Sequence, residues 1–180
     1  MAETESKIKK FKAEIVGSLV KADDKTGART LYDQSRFGEL KEGKIQYSYA
    51  EALYLLEKGK LETYNEKKKI KQDDFVKLAS KSEKDFWVKY VVYRDMRSRG
   101  YVVKTALKFG ADFRVYDRGV KPGEDHAKWI LYPVHEKYSM SMYEFAAKNR
   151  VAHSTRKKLL LAVVDDENDV SYWQIGWTKP

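Results

Sequence analysis

Tyr116 and His126 stand ten residues apart in the stretch "FRVYDRGVKPGEDHAKWILYPV", and Arg156, Lys157 and Lys158 follow in "HSTRKKLLLAVVD". A phenol, an imidazole and an ammonium make a workable set for one kind of reaction. When a ribose 2′-oxygen attacks the adjacent phosphate, one group must take the hydroxyl proton and another must protonate the departing 5′-oxygen. A cation must also meet the charge that builds on the phosphoryl oxygens. Imidazole, with a reference pKa of about 6.5, suits the acid. Phenol, at a reference pKa of about 10, is a poor base unless cations help it, and Arg114, Arg118 and Lys157 are available for that. Each residue also has an ordinary reading: a surface tyrosine beside a turn, a solvated loop histidine, and a lysine on a strand's rim.

Metal chemistry has little support in the spacing. His126, His135 and His153 show no ligand pattern such as HExxH, and Glu124 and Asp125 are only two adjacent loop acids. With no cysteine there is no thiol nucleophile, thiolate site or disulfide. No cofactor is called for.

The elements that must hold these residues can be read from alternation and caps. In "DFRVYD", Phe113 and Val115 point one way while Asp112, Arg114 and Tyr116 point the other, so Tyr116 is expected on the polar face. Gly119, Pro122 and Gly123 mark an irregular loop that ends at His126. Strands are predicted at 13–20, 30–33, 44–48, 101–107, 112–117, 128–132, 158–164 and 170–177, the last two as a hairpin around "DDEND". Three helix starts share a Ser followed three residues on by an acid: Ser48/Glu51, Ser82/Asp85 and Ser141/Glu144. Such a pair can satisfy orphan amides in both directions, worth about 1 kcal/mol per cap. Gly59 and Gly100 fall where the first two helices should stop.

The charged stretch "NEKKKIKQDD" separates early from late elements. It places a boundary that gives a small α+β domain over residues 1–82 and a second domain over 83–180, a mixed β-sheet flanked by helices. The chain of 180 residues carries a net charge of +9, which favours a polyanionic partner, nucleic acid being the commonest. The excess is even: 18 Lys/Arg against 14 Asp/Glu in residues 1–82, and 18 against 13 in 83–180, so any nucleic-acid surface must be assembled by folding. No apolar run reaches the length of a membrane helix and the N-terminus lacks a signal segment, so a soluble, cytoplasmic protein with no membrane partner is expected.

The blocks "LKFGADFRVYDRG", "EDHAKWILYPV" and "RVAHSTRKKLLLAVVDDENDVSYWQI", in that order, resemble the catalytic domain of archaeal tRNA-splicing endonucleases. The earlier "YSYAEALYLLEKGKLE" is similar to that family's first domain. The resemblance implies a restriction-endonuclease-like C-terminal domain that cuts precursor tRNA at bulge-helix-bulge junctions. It further implies a metal-free transesterification leaving 2′,3′-cyclic phosphate and 5′-hydroxyl ends. By the same resemblance Tyr116 is the general base, His126 the general acid and Lys157 the charge stabiliser. Lys157 is preferred to Lys158 because the family's lysine lies two residues before the apolar run. Arg150 corresponds to one of two arginines that clamp a bulge base by cation–π stacking. The region matching the second, "SYWQIGW", has no arginine.

A single-length chain that keeps all three residue types resembles the homotetrameric members of the family. In those, an acidic loop of one subunit inserts into a basic pocket of another, a role that falls here on Asp165, Asp166 and Glu167. Two other readings stay open: a non-catalytic subunit of a heterotetramer, which retention of Tyr116, His126 and Lys157 argues against, and a basic RNA-binding module supported by composition alone.

Overall fold

The computed structural model describes residues 8–120, 123 and 125–178. It divides into two compact units, residues 1–87 and 88–180.

In the first unit, β1 (Phe11–Val16) and β2 (Leu19–Asp23) form a tight hairpin, with Gly17 in the left-handed region at φ 61°. The expected single strand over 13–20 is therefore two strands; "VGSLV" holds a turn that the continuous apolar pattern hid. The expected strand at 30–33 is also corrected. Those residues lie inside helix α1 (Thr26–Ser35), where Ala28 and Leu31 are buried three apart and Arg29 pairs with Asp33 at 2.8 Å. Helical spacing of the buried residues, plus an i,i+4 ion pair, outweighs the strand preference of so short a segment.

β3 (Glu39–Lys41) and β4 (Lys44–Tyr47) lead into α2 (Tyr49–Glu57), whose Ser48 cap is the full reciprocal box. The Glu51 carboxylate does more than cap. It is buried, and it accepts from Gly38 N at 2.9 Å and Ser48 N at 3.1 Å, tying the helix start to the loop before β3. β5 (Leu61–Asn65), β6 (Lys68–Ile70) and α3 (Gln72–Ser82) occupy the charged stretch read as a separator. Their charges face outward while Leu61, Thr63, Phe75 and Ala79 are fully buried, so the segment is structured under a charged surface. The six strands run in the order β3-β4-β2-β1-β5-β6, with β1 and β5 parallel.

Helix α4 (Phe86–Ser98) does not begin at a Ser82 cap. Ser82 still belongs to α3, and its hydroxyl donates back to Leu78 O at 3.1 Å. A Ser/acid pair is thus ambiguous between opening one helix and closing the one before it.

The second unit holds β7 (Val102–Ala106), a 3₁₀ turn (Leu107–Phe109), β8 (Ala111–Tyr116), β9 (Trp129–His135), α5 (Met142–Ser154), β10 (Lys158–Val164) and β11 (Val170–Ile175). The sheet order is β11-β10-β9-β8-β7. Neighbours are antiparallel except β9 and β10, which are parallel and joined through α5, the usual crossover for a parallel pair. One sheet face packs on α4, with Tyr93 against Phe113 at 5.8 Å and the Tyr172 hydroxyl on Asp95 at 2.7 Å. The other face holds Ile130, Tyr132 and Leu159 in a cluster with Ala152 of α5. At the start of α5 the Ser141 hydroxyl accepts from Glu144 N, but the Glu144 carboxylate turns to the Tyr138 hydroxyl and Lys148, so the cap is one-directional. The fold is mixed α+β: two mixed sheets and their helices, the second unit being a mixed sheet flanked by helices. Among the described residues no helix is long and apolar enough to cross a membrane.

Candidate functional site

Strand direction brings three distant segments to one end of the second sheet. β8 finishes there; β9, antiparallel to it, begins there; and β10, parallel to β9, begins there too. Val115, Trp129 and Lys158 are direct partners across the three strands, and Lys128 N bonds to Val115 O at 2.9 Å and Lys158 N to Lys128 O at 3.0 Å. Tyr116 is one residue past this layer and Lys157 one residue before it. Alternation turns both away from the α4 face.

A cavity of about 470 Å³ opens at this sheet end, lined by Phe109, Arg114, Tyr116, Gly123, Asp125, His126, Ala127 and Lys157. Tyr116, His126 and Lys157 thus share one pocket. Tyr116 shares its strand face with Arg114, as alternation predicts, but it is only 5 % exposed where a polar face suggested more. Burial of the ring restricts the phenol to the pocket side. His126 is exposed, in the connection ahead of β9, and its backbone N–H donates to the Asp125 carboxylate at 2.6 Å. Pro122 and Glu124 of the same loop lie outside the described residues.

Lys157 is set by the end of α5. The chain turns with Arg156 in the left-handed region (φ 55°), and Lys157 N donates to Ala152 O at 2.8 Å. Its ammonium donates to Thr155 O at 2.8 Å, beside the helix C-terminus, where a cation is favoured, and lies 5.7 Å from the Phe109 ring. One proton is engaged, and two remain to meet an anion.

The other cations near the pocket are disposed differently. Arg118 stacks on Tyr101 at 4.9 Å. Lys128 pairs with Asp117 at 2.5 Å, and with the Arg118 amide this holds the Asp117 carboxyl below its ordinary range. Arg114 lies over the Tyr116 ring at 5.9 Å. The sequence reading missed Phe109 and Ala127 as pocket walls. Nothing in the "KFG" before β8 showed which way the phenyl ring would face.

Arg150 is exposed on α5 and is not among the pocket-lining residues. The acidic turn closes the β10–β11 hairpin. Asp165 organises it, one carboxylate oxygen accepting from Glu167 N at 3.0 Å and Asp169 N at 2.8 Å. Asp166 is exposed and pairs with Lys137 and, at 3.3 Å, with His135; the Lys137 bond chiefly holds its carboxyl below the ordinary range. Among the described residues, no group of three or more His, Cys, Asp or Glu side chains could hold a metal ion.

Comparison with known families supplies the class. Residues 86–172 match the model described as tRNA intron endonuclease, catalytic C-terminal domain, and residues 11–76 match tRNA intron endonuclease, N-terminal domain. The chain belongs to the tRNA intron endonuclease family and carries its catalytic domain. The tRNA-splicing endonuclease of Nanoarchaeum equitans is 48% identical over 136 residues, covering 72% of this chain and 87% of that one. Those of Methanothermobacter thermautotrophicus (40% identical over 153 residues; 85% and 89% covered) and Thermococcus kodakarensis (40% over 163; 91% and 95% covered) are similar across nearly the whole chain.

Proposed function

We propose that this chain excises introns from precursor tRNA by cleaving at bulge-helix-bulge junctions. The reaction is a metal-independent transesterification. Tyr116 takes the proton from the 2′-hydroxyl, and the freed oxygen attacks the adjacent phosphorus. His126 gives a proton to the departing 5′-oxygen, and Lys157 meets the added charge on the non-bridging oxygens. Products are a 2′,3′-cyclic phosphate and a 5′-hydroxyl. The observation that carries this reading is the single pocket lined by all three side chains, at a sheet end where β8, β9 and β10 converge. Its volume admits a phosphodiester and parts of its flanking sugars.

The acting form is a homotetramer. Two turns bearing Asp165, Asp166 and Glu167 dock on neighbouring subunits, and the two-fold relation between active sites measures the spacing of two bulges. Arg150, outside the pocket, serves RNA binding. The two domains divide near the start of α4.

The roles separate in one experiment. His126→Ala is compared with the parent protein for single-turnover cleavage of a labelled bulge-helix-bulge RNA and for affinity to that RNA. Cleavage should fall about 10²- to 10⁴-fold with little change in affinity. A large loss of affinity at a normal bound-state rate would make His126 a recognition residue instead.

A further inference from the structure

The geometry points to Arg114 as a second phosphate-binding catalytic residue, opposite Lys157 in the same pocket; this rests on the reading of the pocket given above. Two observations converge on it. Arg114 lines the cavity with Tyr116, His126 and Lys157. It sits two residues before Tyr116 on the same strand face, its guanidinium 5.9 Å from the Tyr116 ring centre, so it reaches the space where an attacking 2′-oxygen and its phosphate must lie.

The chemistry leaves room for a second cation. In the transition state two non-bridging oxygens gain charge, and Lys157 approaches from the β10 side as a point charge with one proton already given to Thr155 O. A guanidinium from the β8 side adds a planar fork that can hold both oxygens or span one oxygen and the attacking position. Asp125 also lines the cavity, but its carboxylate accepts the His126 amide and so is directed towards its own loop.

The test uses the full chain, a labelled bulge-helix-bulge RNA under single-turnover conditions, and the same RNA with a 2′-deoxy nucleotide at the cleavage position for binding. Arg114→Met should slow cleavage about 10²-fold or more, the loss typical of one donor removed from a developing oxyanion. Its affinity for the deoxy RNA should fall less, with the salt slope reduced by about one. Arg114→Lys should keep the slope yet remain about tenfold slow, because charge survives and the fork does not. Parent-like rates and slope in Arg114→Met would overturn the assignment. Should that variant lack a cooperative melt, Arg114→Lys decides alone, and a parent-like rate overturns it. His126→Ala runs alongside. If it is inactive while both Arg114 variants cleave normally, only the Arg114 role is lost; if it cleaves normally too, the pocket reading falls with it.

Discussion

Tyr116 and Lys157, 41 residues apart in the chain, line the same pocket because each lies one residue off the Val115–Trp129–Lys158 layer at the same sheet end. Strand polarity sets this: an antiparallel step from β8 to β9 and a parallel step from β9 to β10 bring the end of β8 and the starts of β9 and β10 to one end of the sheet.

The proposed mechanism sets the two side chains on one phosphate, so their removal should not be additive. Tyr116→Phe keeps the buried ring and deletes only the hydroxyl; Lys157→Met keeps the stem and deletes the charge. Each should lower the single-turnover rate by about 10² to 10⁴. The double variant should be little worse than the poorer single one, as for groups that act as a unit. Full multiplicativity of the two losses, measured in the same assay, would place them at separate steps.

The acidic turn calls for a more selective test than wholesale charge reversal. Asp165 is needed for the turn itself, since its carboxylate holds the amides of Glu167 and Asp169. Asp166→Lys with Glu167→Lys spares those bonds. The docking role predicts a shift from tetramer towards smaller species by sedimentation velocity, while the melting curve of the smaller species stays cooperative. An unchanged sedimentation coefficient would leave the turn a solvated hairpin end. Asp166 itself should titrate below the ordinary carboxylate range by NMR. Its folded value is depressed by Lys137, so the pair's contribution is present above the unfolded pKa and is lost as pH falls through the lower folded one.

In the first unit, Glu51→Ala should be the costliest polar truncation. It strips the amides of Gly38 and Ser48 of a buried acceptor, at about 1–3 kcal/mol for each group left unsatisfied. Chemical denaturation should show a loss of several kcal/mol with an unchanged catalytic rate in the folded fraction. A loss under about 1 kcal/mol would mean that water replaces the carboxylate.

Much of the site was legible before the fold. Alternation in "DFRVYD" separated Tyr116 from Phe113, as the sheet register has it, and Lys157, taken over Lys158 by resemblance, lines the candidate pocket, its role standing as a proposal. Burial of Tyr116 could not be read, because alternation assigns a strand face but not what packs on it. Caps were legible at Ser48 and half-legible at Ser141, but Ser82 misled because α3 runs into it. Local pattern failed most in residues 61–82, where charged outer faces hide two strands and a helix whose buried residues are sparse. Arg29–Asp33 shows the same limit: helical pairing there needed the tertiary stripe of Ala28 and Leu31 to be visible.

The most direct measurement uses the purified chain alone, in EDTA, with an end-labelled bulge-helix-bulge RNA. The account predicts cleavage at both junctions, with 2′,3′-cyclic phosphate on the upstream fragments and 5′-hydroxyl on the downstream ones. RNA left intact, or cut only when magnesium is restored, would contradict it.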